Sequence, residues 1–114
     1  MGHRIAQINE VIKEELGKIF LDEIEQRPGL LITITEVATS KDLATADVFV
    51  SVYPTEEVSS VLGELGGRAG WLQHLLNKQL NMHPVPRIQF VFDERVEEAD
   101  RIEQLVQETK REEE

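Results

Sequence analysis

Apolar residues recur three and four apart from Ile5 through Ile8, Ile12, Leu16 and Ile19 towards Ile24, while Glu10, Lys13, Glu14, Glu15 and Lys18 fall between them. That period places one apolar stripe on a helix and predicts a long amphipathic first element. It stops at Arg27-Pro28-Gly29, because proline followed by glycine suits the two central positions of a tight turn and does not continue a helix. The period then drops to two. From Leu31 to Val37, Ile32 and Ile34 share one face of a strand, with Thr33 and Thr35 on the other. After a break at Thr39-Ser40-Lys41-Asp42, the run from Thr45 to Tyr53 sets Ala46, Val48, Val50 and Val52 against Asp47, Phe49, Ser51 and Tyr53. So short a break predicts an antiparallel pair.

The second half returns to helical spacing. Pro54-Thr55-Glu56-Glu57 offers an N-cap at Thr55 and acids in the first turn of a helix through Val58, Val61, Leu62 and Leu65. Gly66, Gly67 and Gly70 then predict an interruption, since glycine pays the largest backbone entropy on ordering and commonly caps or kinks helices. Leu72, Leu75, Leu76 and Leu80 resume the helical period up to Asn81-Met82-His83-Pro84. Pro86 to Phe92 reads as a third strand with Ile88, Phe90 and Phe92 on one face, and Asp93-Glu94 turns out of it. Val96, Ala99, Ile102, Leu105 and Val106 predict a last amphipathic helix, followed by a polar acidic tail over 109–114. The order helix, strand, strand, helix-break-helix, strand, helix implies one α+β domain over 1–108, a three-stranded sheet with helices on one face.

Composition sharpens this picture at one place. The 114 residues, 40% hydrophobic, suit one domain with its own core. The chain has no cysteine, which excludes disulfides, thiolate metal sites and cysteine nucleophiles and favours an intracellular, cytoplasmic setting. Its start lacks the apolar run of a signal peptide, and no stretch suggests a membrane span. With 22 acids against 12 Lys plus Arg and a net charge of -10, the chain is not one that coats nucleic acid through overall charge. Yet residues 65–92 hold no Asp or Glu at all, and carry Arg68, Lys78 and Arg87 with His74 and His83 beside them. Segregated charge of this kind marks a face with a function, and any nucleic-acid site is confined to it.

Two readings stand for the glycine break. It is a simple helix cap, or a place where a phosphate approaches bare backbone next to free N–H groups. Arg68, Lys78 and Arg87 are solvated charges on the first reading and phosphate contacts on the second. Trp71 beside an apolar stripe reads first as half-buried core and second as a base-stacking ring. His74 and His83 lack metal-ligand spacing and read as surface histidines. The chain contains no phosphate-loop, zinc-protease or nucleophile-elbow motif, so neither a cofactor nor an enzymatic site has an anchor.

These residues carry a family resemblance. Ile32-Thr33-Ile34-Thr35-Glu36-Val37 followed by Ser40 to Val52 resembles the paired-strand signature of bacterial ribosome-binding factor A; Val85 to Asp93 resembles its third strand, and Ala99-Asp100-Arg101-Ile102 its closing helix. The resemblance spans nearly the whole chain and implies a KH-like fold of type II, αββααβ with a C-terminal helix. It also implies a non-enzymatic ribosome-binding factor, and the expectation beside it is a monomer without a cofactor. Such a factor acts in small ribosomal subunit assembly, with the subunit and its ribosomal RNA as partners during maturation. The chain departs from the family at Gln26-Arg27-Pro28-Gly29, where the turn proline is displaced, at Lys41 in place of a proline, and at Glu112-Glu113-Glu114 in place of a basic extension. Arg68-Ala69-Gly70 occupies the family's Ala-x-Gly kink with an arginine first, while Gly67-Arg68-Ala69-Gly70 also spells the Gly-x-x-Gly of ordinary KH domains. The kink positions implied by the resemblance, taken together with the cations and histidines of the acid-free window, make the candidate RNA-binding residues Gly67, Arg68, Ala69, Gly70, His74, Lys78, His83 and Arg87. The alternative is a protein-interaction domain whose acidic first and last helices, through Glu10, Glu14 and Glu103, recruit basic partners.

Overall fold

A computed structural model describes residues 2–24 and 27–95. The predicted final helix and tail lie outside the described residues. Helix α1 spans Gly2–Glu23, strand β1 Leu31–Thr39, strand β2 Thr45–Tyr53, helix α2 Val58–Gln79 and strand β3 Arg87–Phe92. The α+β architecture is the expected one: a three-stranded sheet in the order β1-β2-β3, antiparallel between β1 and β2 and parallel between β2 and β3. Both helices lie on one face, α1 over β1 and α2 over β3.

The periodicities explain the layers. Ile12, Leu16 and Ile19 of the predicted stripe, joined by Phe20 and by Ile24 just past the end of α1, pack into one core with Val37, Ala46, Val48, Val50 and Val52 of the sheet. The turn forms at Pro28-Gly29, with Gly29 at φ 83° and the Leu30 N–H donating to the Arg27 carbonyl at 3.0 Å. Positive φ at the third position is the type II geometry that glycine permits. Asn9 ties α1 to the far end of β1, its Oδ1 accepting from the Thr39 N–H at 2.9 Å and hydroxyl at 2.6 Å.

Three expectations need correction. First, β1 does not alternate throughout: Ile34 pairs with Val50 and Glu36 with Phe49, so Thr35 is an extra residue in a β-bulge. The bulge resets the phase, sending Val37 into the core and exposing Glu36, which strict alternation from Ile34 would have turned inward. Second, Thr55 is not the cap of α2. Residues Thr55–Glu57 form a 3-10 turn, closed by the Glu57 N–H on the Pro54 carbonyl at 3.1 Å, and α2 begins after it.

Third, the glycines do not interrupt α2, which runs unbroken for 22 residues through Gly66, Gly67 and Gly70. A glycine costs a helix about 0.8–1.0 kcal/mol relative to alanine. Val61, Leu65, Leu72 and Leu76 are all essentially inaccessible on one face of the same helix, and each side chain so buried contributes about 1.5–3 kcal/mol. Burial on both sides of the glycines outweighs their propensity, and the two predicted helices become one.

Candidate nucleic-acid interface

An unbroken α2 fixes where each candidate residue points. Positions 67, 70, 71, 74 and 78 are three and four apart and so share one ridge, on the side of the helix opposite the buried Leu65, Leu72 and Leu76. Gly67, Gly70, Trp71, His74 and Lys78 are all exposed there. A Cβ added at Gly66, Gly67 or Gly70 would meet no atom within 4 Å. Among the described residues no packing therefore demands glycine at these positions, and a length of helix backbone is left bare there.

Arg68 turns the other way. Its Nη1 donates to the backbone carbonyl of Glu23, and its Nη2 to Glu23 Oε2 at 3.2 Å. Trp71 Nε1 donates to the same carboxylate oxygen at 3.0 Å. The acid-free segment thus receives a carboxylate from the end of α1, with Arg68 neutralising it. Trp71 is not core: 49% of it is exposed, and its ring stacks on that of His74 with centroids 5.5 Å apart and planes inclined by 29°.

On the flank of the ridge facing the sheet, a groove of about 360 Å³ runs between α2 and β3. Gly66, Ala69 and Gly70 form its helical wall, and Arg87 and Gln89 lie on its strand side. Gln73 spans the two walls, accepting from the Ile88 N–H at 2.8 Å and donating to the Pro86 carbonyl at 3.1 Å. His83 is exposed in the connection from α2 to β3, and Arg87 is exposed at the start of β3. The eight candidate residues therefore do not form one cluster. Gly67, His74 and Lys78 share the ridge, Ala69, Gly70 and Arg87 line the groove, Arg68 faces α1, and His83 stands apart.

Comparison with known proteins identifies the architecture. The ribosome-binding factor A family model matches residues 4–106. The chain belongs to the ribosome-binding factor A family. Ribosome-binding factor A of Thermodesulfovibrio yellowstonii is 34% identical over 108 residues, covering 95% of this chain and 92% of that relative. The crystal structure of ribosome-binding factor A from Thermus thermophilus superimposes with a TM-score of 0.66 at 26% identity, over 76% of this chain and 93% of that one. A homology model of the Thermus thermophilus factor, fitted into a cryo-EM map of its 30S complex, matches with a TM-score of 0.57 at 27% identity, over 80% of this chain and 92% of that one. The fold of ribosome-binding factor A is KH-like, as the resemblance implied.

Sequence reasoning missed Glu23 and Gln73 and read Trp71 first as half-buried core, with base stacking second. Glu23 has no signal in the chain, because only the packing of α1 on α2 brings it to residues 45 and 48 positions away. Trp71 did have one. It lies four residues after Gly67 and three before His74, outside the period of the buried leucines, and on an unbroken helix that spacing places it on the exposed ridge. No helix among the described residues is long and apolar enough to cross a membrane.

Proposed function

We propose that this chain is a ribosome-binding factor that engages the small ribosomal subunit during its assembly and contacts its ribosomal RNA during maturation through the α2–β3 surface. The observation that carries the reading is the bare glycine backbone of α2, open at Gly66, Gly67 and Gly70, running beside the groove and ending at Lys78. Helix backbone without side chains admits a sugar-phosphate strand closely, and double-helical or folded RNA is recognised largely by such shape contacts. Membership of the ribosome-binding factor A family and likeness to the Thermus thermophilus factor in its 30S complex support the same partner. Gly67, Ala69, Gly70, His74, Lys78, His83 and Arg87 face the RNA, while Arg68 acts through Glu23. The factor works as a cytoplasmic monomer, by binding rather than by catalysis.

Co-sedimentation with immature small subunits over a salt series tests this. Retention is expected at low salt and falls as salt rises. With Arg68 engaged by Glu23, two of the candidate cations, Lys78 and Arg87, remain for phosphate, so log affinity should fall with log salt at a slope of about 1.4–1.8, each contact adding about 0.7–0.9. Absence of retention at low salt defeats the reading. Retention lost on charge reversal at Glu10 and Glu14, but kept in Lys78→Glu, would instead assign binding to the acidic face of α1.

A further inference from the structure

We infer that Trp71 and His74 form a stacking platform for one unpaired nucleobase, set on the outer ridge of α2 beside its bare glycine backbone. The inference rests on the RNA-binding reading above and adds a base contact to a surface otherwise suited to phosphate and backbone. The two rings are stacked in the free protein, both side chains are exposed, and neither belongs to the core cluster. An indole so placed leaves apolar area in water and contributes nothing to the buried face of its own helix.

It is nevertheless held in place. Nε1 donates to Glu23 Oε2, the oxygen that also accepts from Arg68 Nη2, and the other guanidinium nitrogen holds the Glu23 carbonyl. A ring oriented before binding loses little freedom on meeting a base. The same contacts temper the local charge, because Arg68 pairs with the Glu23 carboxylate at the edge of the indole. Lys78 follows His74 by one helical turn and supplies a cation for the nucleotide's phosphate, while Gly67 and Gly70 on the preceding turn leave room for the adjoining strand. A flat aromatic surface between a cation and open backbone suits a base on a polyanion better than a protein side chain. Stacking of this kind tolerates any base, since every base has a π face.

Trp71 is the sole tryptophan, so its fluorescence reports on this ring alone. Titration of the full chain with single-stranded octa-adenylate at low salt should quench that emission, and an abasic octamer of equal charge should not. By fluorescence anisotropy of labelled octa-adenylate, Trp71→Ala should lower affinity about tenfold, whereas Trp71→Phe should stay within about twofold of the parent. Thermal melts of both variants check that the fold persists. Equal quenching by the abasic octamer overturns the platform, as does unchanged affinity in Trp71→Ala. Crosslinks from position 71 to ribosomal protein, in place of RNA, within the small subunit also overturn it. All three outcomes are distinct from a failure of the wild-type chain to sediment with subunits, which bears on the subunit reading alone.

Discussion

The guanidinium of Arg68 lies against the last turn of α1, where backbone carbonyls lack intrahelical N–H donors and the helix dipole favours a cation. One side chain thus caps α1, pairs with Glu23 and fixes the carboxylate that holds Trp71. Arg68→Glu would strip the carbonyl of its donor and set two carboxylates together. Urea unfolding at neutral pH should show stability lowered by about 1–2 kcal/mol, with Arg68→Lys in between because an ammonium cannot reproduce the two-point contact. A variant as stable as the parent would show that the contact contributes nothing. Arg68 is therefore a poor probe of RNA contact by itself, and Lys78, exposed and without an ion pair among the described residues, is the better one. The charge segregation that marked Lys78 and His74 is a local property of the chain and was legible in it. The partnership of Arg68 joins residues 45 apart and was not.

At the scale of elements, periodicity revealed α1 and the three strands but split α2 in two and overlooked the 3-10 turn before it, and what it missed were decisions that packing makes. The bulge at Thr35 is invisible to a period-two pattern over seven residues; only the need to bury Val37 while exposing Glu36 imposes it. Likewise the glycines of α2 carry a real propensity cost that the buried leucines override. That cost remains available for measurement. Gly67→Ala meets no atom within 4 Å and sits at helical φ and ψ, so it should raise stability by roughly 0.5–1 kcal/mol. The same methyl would hold RNA away from the backbone, and retention on small subunits should drop severalfold. Gly17→Ala, equally unobstructed but on α1, should raise stability and leave retention alone. A Gly67→Ala chain that is both stabler and fully competent would remove the ridge backbone from the interface.

Across the whole molecule, Asp93 closes the fold on the side of the sheet away from the helices. It is 3% exposed, and it joins segments distant in sequence: Thr35 Oγ1 of the bulge donates to Oδ2 at 2.5 Å, and the Arg95 N–H and Nε donate to Oδ1 at 3.1 and 3.0 Å. Arg95 in turn reaches Glu36 at 2.8 Å and lies 5.8 Å from the centre of the Phe49 ring. The bulge thus positions a hydroxyl for a carboxylate that follows β3, a link no local pattern contains. Hydrogen bonds from Arg95 first and Thr35 second hold the Asp93 carboxyl down to about 2, below its ordinary 3.8. A carboxylate depressed on folding adds stability in full above the unfolded value, and that stability is lost as pH falls through the folded one. The window is therefore about pH 4 down to pH 2. Asp93→Asn keeps the shape but not the charge, and should be less stable than the parent by about 1–3 kcal/mol at neutral pH. Protonation of the other carboxylates affects both chains alike, so the difference between them isolates this one. Urea midpoints measured from pH 7 to pH 2 should stay apart down to about pH 4 and then converge; curves that remain parallel to pH 2 would show that the Asp93 charge does not hold the closure.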